Sequence, residues 1–244
     1  LPGPFRELKP MFEASVLPRL RKLYARGLHT GSLTLRLCGI PESLADEKLS
    51  GVIGQDDPHL DFTILSSTGL VDFYARATAK SSKQVHASIA KVRRQAYAAV
   101  GNHIYGEGEE TLESVAGERL LRSGLTIALA ESCTSGMLGA RLTRLPGSSA
   151  YFRGGVLAYS NSVKTKLLGV SPATLRRHGA VSRQCALEMA RGVRRAVKTS
   201  LGLAVTGIAG PGGATPSKPV GLVYIACSGP RAKESVRRLH LPGD

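Results

Sequence analysis

The stretch Leu125 to Gly136, Leu-Thr-Ile-Ala-Leu-Ala-Glu-Ser-Cys-Thr-Ser-Gly, constrains this chain more than any other. Its apolar run from Leu125 to Ala130 predicts a strand buried on both faces. The run then breaks into small hydroxyl residues and Gly. Met137, Leu138, the stem of Arg141, Leu142 and Leu145 follow at helical spacing. A strand that ends this way and opens a helix leaves backbone N–H groups free at the helix start. With the positive end of the helix dipole, they suit a developing oxyanion or a phosphate. Ser132 sits at that junction. The plain alternative is that Ser132 or Thr134 serves only as an N-cap.

The sequence around this stretch reads as two units. Residues 1–29 look like the end of a preceding domain. Met11, Phe12, Val16, Leu17 and Leu20 have helical spacing, but Pro10 and Pro18 bracket only two turns. Residues 30–105 predict a small α+β domain. It has a strand at Thr34–Leu37 and a helix at Ser43–Ile53. Strands at Asp61–Ser66 and Leu70–Thr78 flank the turn Ser67-Thr68-Gly69, and an amphipathic helix runs through Val85, Ile89, Val92, Ala96 and Val100. His59, His86 and His103 are isolated and carry no catalytic spacing. Residues 106–110, Gly-Glu-Gly-Glu-Glu, read as a turn-rich acidic linker.

From residue 111 onward strands and helices alternate, which predicts a three-layer α/β/α domain over residues 111–244. Thr111 caps the first helix. The strand Arg153–Ala158 ends in Tyr159-Ser160-Asn161, and Lys164 falls in the first turn of the next helix. A cation there opposes the helix dipole, which favours a lowered pKa. Ser171-Pro172 and Ser182 start two further helices, the second facing the core with Ala186, Met189, Ala190, Val193, Ala196 and Val197. The strand Leu201–Val205 runs into Thr206-Gly207-Ile208-Ala209-Gly210-Pro211-Gly212-Gly213, which lacks the GK[ST] of a Walker loop. Strands at Val220–Cys227 and Ser235–Leu239 complete the sheet, the last as an edge. In such folds ligands bind at strand C-termini. The loops Ser132–Gly136, Tyr159–Asn161 and Thr206–Gly213 meet at one edge if their strands are parallel neighbours.

Charge narrows the partners. Residues 1–110 carry 14 Lys/Arg against 12 Asp/Glu, whereas residues 111–244 carry 19 against 6. The second unit therefore prefers anions, either a phosphorylated small molecule or nucleic acid. Nucleic acid is the less favoured partner. No recognition-helix motif is visible, and only 5% of residues are aromatic, too few for a stacking surface. No run of 18 apolar residues predicts a membrane span. Cys38, Cys133, Cys185 and Cys227 are scattered, with no metal-type CxxC, which fits a reducing, cytoplasmic setting. No metal or other cofactor is expected, and a homodimer is.

Five ordered motifs carry a resemblance. They are Ala130-Glu131-Ser132-Cys133-Thr134-Ser135-Gly136, Gly147-Ser148-Ser149-Ala150-Tyr151-Phe152, Tyr159-Ser160-Asn161 with Lys164, His178-Gly179-Ala180-Val181-Ser182, and Thr206 to Gly213. Together they resemble the C-terminal nicotinamide mononucleotide (NMN) amidohydrolase domain of the CinA family. Gly39-Ile40-Pro41-Glu42-Ser43 with Ala77-Thr78-Ala79-Lys80 resembles that family's small middle domain. Leu1 to Leu8 resembles the end of its molybdopterin-binding-like domain, to which the family's ADP-ribose pyrophosphatase activity belongs. The resemblance implies hydrolysis of the NMN carboxamide to nicotinate mononucleotide and ammonia. It implies Ser132 as nucleophile, Lys164 as its activator and Tyr159 as an assisting group. Cys133, Thr134, Gly136, Thr206, Gly207, Ala209, Gly210 and Gly212 are the expected substrate contacts, with free N–H groups from Cys133 to Gly136 holding the oxyanion. The alternative function is a catalytically degenerate module that binds nucleotide or nucleic acid. Ser135 stands where the family usually has Gly. The family also continues after Pro-Gly-Asp with an Arg and a terminal helix, so one helical layer and part of the substrate site are expected beyond Asp244. The residue types agree with this chemistry. No His lies in the three loops, which disfavours Ser-His-Asp, while Ser-Lys fills the same roles.

Overall fold

A computed structural model describes residues 3–24, 27–53, 57–67, 69–230 and 233–241. Thr68 of the expected turn, Leu1-Pro2 and Pro242-Gly243-Asp244 lie outside the described residues. The chain divides into two compact units, Leu1–Thr111 and Leu112–Asp244.

The first unit opens with helical structure across both prolines, contrary to the expected two turns: α1 (Phe5–Met11), a π segment (Phe12–Val16) and α2 (Leu17–Tyr24). Each Pro removes an N–H donor, and the wider π turn between them accommodates the lost register. The unit continues as β1 (His29–Cys38), α3 (Glu42–Ile53), β2 (Leu60–Ser67), β3 (Leu70–Ala79), α4 (Ser82–Val100) and β4 (Ile104–Glu107). The sheet order is β2-β3-β1-β4 and every pairing is antiparallel. This is a split β-α-β arrangement. On β1, Leu33, Leu35 and Leu37 alternate into the core, where they meet Phe73 of β3, Leu49 of α3 and Val92 and Ala96 of α4. Ser81 caps α4 by accepting the Gln84 N–H at 3.2 Å. Gly106 and Glu107, expected in a linker, belong to β4 and pair with Arg36 and Leu35 of β1. Four residues with a Gly give too short a strand to show a period, so pairing with β1 decides the outcome.

The second unit contains α5 (Leu112–Arg122), β5 (Ile127–Glu131), α6 (Met137–Leu142), β6 (Phe152–Leu157), α7 (Asn161–Leu168), α8 (Pro172–His178), α9 (Arg183–Val197), β7 (Leu201–Gly207), β8 (Leu222–Ser228) and β9 (Glu234–His240). The sheet order is β6-β5-β7-β8-β9. β5 is parallel to both β6 and β7, while β8 and β9 add on antiparallel. All five residues of β5 are buried, as a central strand demands. They alternate between layers. Ala128 and Ala130 pack with Ala204 and Ala226 against α7 and α9, through Leu168, Met189, Ala190 and Val193. Ile127 and Leu129 face the other way, toward Leu142, Tyr151, Leu120 and Leu138. The domain is thus α/β with helices on both faces. Two local readings change. α6 ends at Leu142, short of Leu145, and Ala196 of α9 is exposed while Cys185 and Gly192 are buried.

The face bearing small side chains draws its helices in closely. A Cβ built on Gly192 of α9 would lie 2.0 Å from the Leu168 carbonyl oxygen at the end of α7. That contact fixes where α7, and so Lys164, sits against α9. Gly192→Ala should therefore destabilise the unit by about 1–3 kcal/mol, as overpacking against backbone does. A urea midpoint equal to the parent's would show that α7 backs away freely.

Candidate active site

Three strand ends converge because β6, β5 and β7 run in parallel. They deliver Ser132 after β5, Ala158-Tyr159 after β6 and Thr206-Gly207 at the end of β7. A cavity of about 280 Å³ opens between them. Ser132 is held by its N–H, which donates to the Val205 carbonyl of β7 at 3.0 Å. Across the loop, Ser160 caps α7 by accepting the Val163 N–H at 3.3 Å, and the next turn points Lys164 inward. Lys164 is 1% exposed. Its Nζ lies 3.0 Å from Ser132 Oγ, 2.5 Å from the Ala158 carbonyl and 3.0 Å from the Tyr159 carbonyl. No carboxylate is among these partners. Burial is the main cause that lowers the Lys164 pKa, while the Cys185 and Cys133 thiols act in the opposite direction. The Cys185 thiol, itself buried, is pushed up to about 11.

The helix start differs from the sequence expectation. Glu131, 3% exposed, turns its carboxyl group under α6. It accepts the N–H groups of Gly136 (2.9 Å) and Leu138 (3.1 Å) on one oxygen and of Gly139 (2.8 Å) on the other. The Ser135 N–H donates to the Ser132 carbonyl at 3.2 Å. Gly136 and Ser135 are therefore not free donors, because an internal anion occupies the helix terminus. Thr134 and Gly136 do not line the cavity, and Thr134 Oγ1 is buried without a hydrogen-bond partner. Ser135 adopts φ +49° and Gly136 φ +96°, a left-handed pair that strains a side chain at position 135.

The remaining expected residues line the cavity, two of them in altered roles. Cys133, Tyr159, Thr206, Gly207, Ala209, Gly210 and Gly212 all do so. Tyr159, however, meets Lys164 through its carbonyl, and its side chain is 74% exposed at the mouth. Thr206 is 1% exposed and donates its hydroxyl proton to the Ala180 carbonyl at 3.0 Å, so it braces the far wall. Gly207 is required by space, since a Cβ would lie 2.8 Å from Val223, 2.9 Å from the Leu222 carbonyl oxygen and 3.1 Å from Cys133 Sγ. Ala180 and Val181, unassigned from the sequence, form part of the wall. Among the described residues no group of three or more His, Cys, Asp or Glu side chains could hold a metal ion.

With that geometry in view, comparisons with known proteins are specific. The CinA C-terminal domain matches residues 109–244, and the CinA KH domain matches residues 32–106. The chain belongs to the CinA family. A competence-damage inducible protein of Halothermothrix orenii is 44% identical over 244 residues, covering 100% of this chain and 58% of its own length. A CinA-like protein of Dictyoglomus thermophilum is 42% identical over 247 residues, with the same two coverages. The chain thus spans about 58% of these relatives' length. Among solved structures, the competence/damage inducible protein CihA from Agrobacterium tumefaciens is similar at 40% identity and a TM-score of 0.53. That match covers 54% of this chain and 79% of the other. A CinA superfamily protein from Escherichia coli matches at 32% identity and a TM-score of 0.52, covering 55% and 77%. No helix of the described residues is long and apolar enough to cross a membrane.

Glu131 yields a test within this CinA domain. A carboxylate accepts on both oxygens, whereas a carboxamide turns an NH₂ toward at least one of the three N–H groups. Glu131→Gln should cost about 1–3 kcal/mol in a urea unfolding curve. An unchanged midpoint would mean that the α6 terminus needs no internal acceptor.

Proposed function

We propose that residues 111–244 form an amidohydrolase that converts NMN to nicotinate mononucleotide and ammonia. The observation that carries this is the Lys164–Ser132 pair with its two carbonyls. A carbonyl only accepts. A neutral Lys164 therefore spends its two N–H bonds on Ala158 and Tyr159, and its lone pair faces Ser132 Oγ. That is the arrangement a general base needs, and burial favours the neutral amine.

In this reading Lys164 takes the Ser132 proton as Oγ attacks the carboxamide carbon. The carbonyl π bond becomes an oxyanion, which the N–H of Cys133, a residue that lines the cavity, stabilises. Lys164 returns the proton to the amide nitrogen as the C–N bond breaks, releasing ammonia and leaving an ester on Ser132. Water then attacks the ester with Lys164 again as base, regenerating the serine. The Tyr159 side chain, exposed at the mouth, is assigned to the pyridine ring's entrance. The assignment of a nucleotide rests on charge, since no Asp or Glu occurs from residue 132 to residue 187.

Two measurements test the reading. Ser132→Ala should abolish ammonia release from NMN while the fold persists, and full activity would remove Ser132 from the mechanism. For Lys164, activity should rise with pH through an apparent pKa below the free-lysine value of about 10.4. Stability should follow the same direction. Between the lowered folded pKa and the unfolded one, the unfolded chain binds more protons, so unfolding free energy rises with pH through that window. Lys164→Arg, which has no usable lone pair, should lose turnover at saturating NMN. Near-parental kcat in that variant would overturn the general-base assignment.

A further inference from the structure

The geometry points to Lys218 as the residue that selects the phosphate end of the ligand, an inference that rests on the amidohydrolase reading for the ligand's identity. The chain between Ile208 and Gly221 folds back on itself. The Ile208 N–H donates to the Leu222 carbonyl (2.9 Å), the Gly221 N–H to the Ile208 carbonyl (2.8 Å), and Thr215 and Lys218 exchange backbone bonds. One limb, from Ile208 to Gly213, lines the cavity. The other limb carries Lys218, whose Nζ crosses to the facing wall and donates to the His178 carbonyl at 2.6 Å. It lies 3.0 Å from where a Gly179 Cβ would be, one residue before the wall residues Ala180 and Val181. Lys218 therefore ties the loop whose first limb lines the cavity to the segment that leads into the facing wall.

The charge of Lys218 is not matched there. Among the described residues no ion pair includes it. After Glu131 the sequence holds only Glu188, Glu234 and Asp244 as acids. Glu188 is engaged by the Ser171 N–H and the Thr174 hydroxyl, and Glu234 by Arg191. Lys164 is the lysine that lines the cavity, and it is committed to Ser132 and two carbonyls. A half-buried ammonium with one neutral acceptor keeps two N–H donors and a full charge for an anion. A phosphate monoester seated between the walls meets both needs. Nicotinamide riboside, which lacks it, gains nothing from Lys218.

A bare loop fastener would give the same His178 bond, so the test must separate charge from fastening. The Ser132→Ala background measures affinity without turnover. In it, Lys218→Gln keeps a donor for the His178 carbonyl and removes the charge, and Lys218→Met removes both. NMN affinity should fall about 10- to 100-fold in each, the loss of one charge-assisted hydrogen bond, while riboside affinity changes less than threefold. Lys218→Arg should restore most of the NMN preference. Equal losses for the two ligands, an NMN affinity unmoved by Lys218→Gln, or no NMN preference in the parent would each overturn the proposal. Ammonia release by the Ser132-containing chain is scored separately, so the amidase reading and the phosphate contact fail independently.

Discussion

A lysine amine buried without a carboxylate organises the second unit. Removing a charged ammonium from water is costly, and Lys164 recovers hydrogen bonds from two backbone carbonyls and one hydroxyl rather than from an opposite charge. The carbonyls come from the end of β6, the hydroxyl from the end of β5, and the amine from α7. Each must be held to a fraction of an ångström. Parallel pairing fixes the strand ends relative to each other. Close contact between α7 and α9 at Gly192 fixes the helix. The core of this layer is rich in alanine because bulkier side chains would lift α9 away and carry Lys164 with it.

Glu131 solves the complementary problem on the other face. A helix start beside Ser132 attracts anions without discrimination. Filling it with the chain's own carboxyl group removes that option and stiffens the Ser132 turn. Anionic ligands are then left with the opposite side of the cavity, where the Gly-rich loop and the His178–Val181 segment face each other.

Much of this was legible in the sequence where a local pattern has one physical meaning. The apolar run before Ser132 reads as a strand buried on both faces, and Ser171-Pro172 and Ser182 read as helix starts, as they are. The meeting of the three loops followed once β5, β6 and β7 were parallel. What stayed hidden depended on partners distant in sequence. Glu131 reads as the polar end of a strand until α6 is folded over it. Thr206 reads as a ligand contact until the Ala180 carbonyl arrives. Lys218 has no local signal at all, since its partner is 40 residues away. β4 and the helix through Pro10 and Pro18 went unread because short length and proline weaken the local signal that tertiary pairing and a π turn then override.

The pair of carbonyls around Lys164 also dictates which side chains could ever stand there. In the general-base reading the position requires two donors and one lone pair from a single nitrogen. A neutral imidazole brings one N–H and would strand a carbonyl in the interior, and a guanidinium brings donors with no lone pair. A carboxylate brings no donor and would confront both oxygens. Only a primary amine fits, so the backbone, rather than the reaction, has already excluded a histidine-based version of this site.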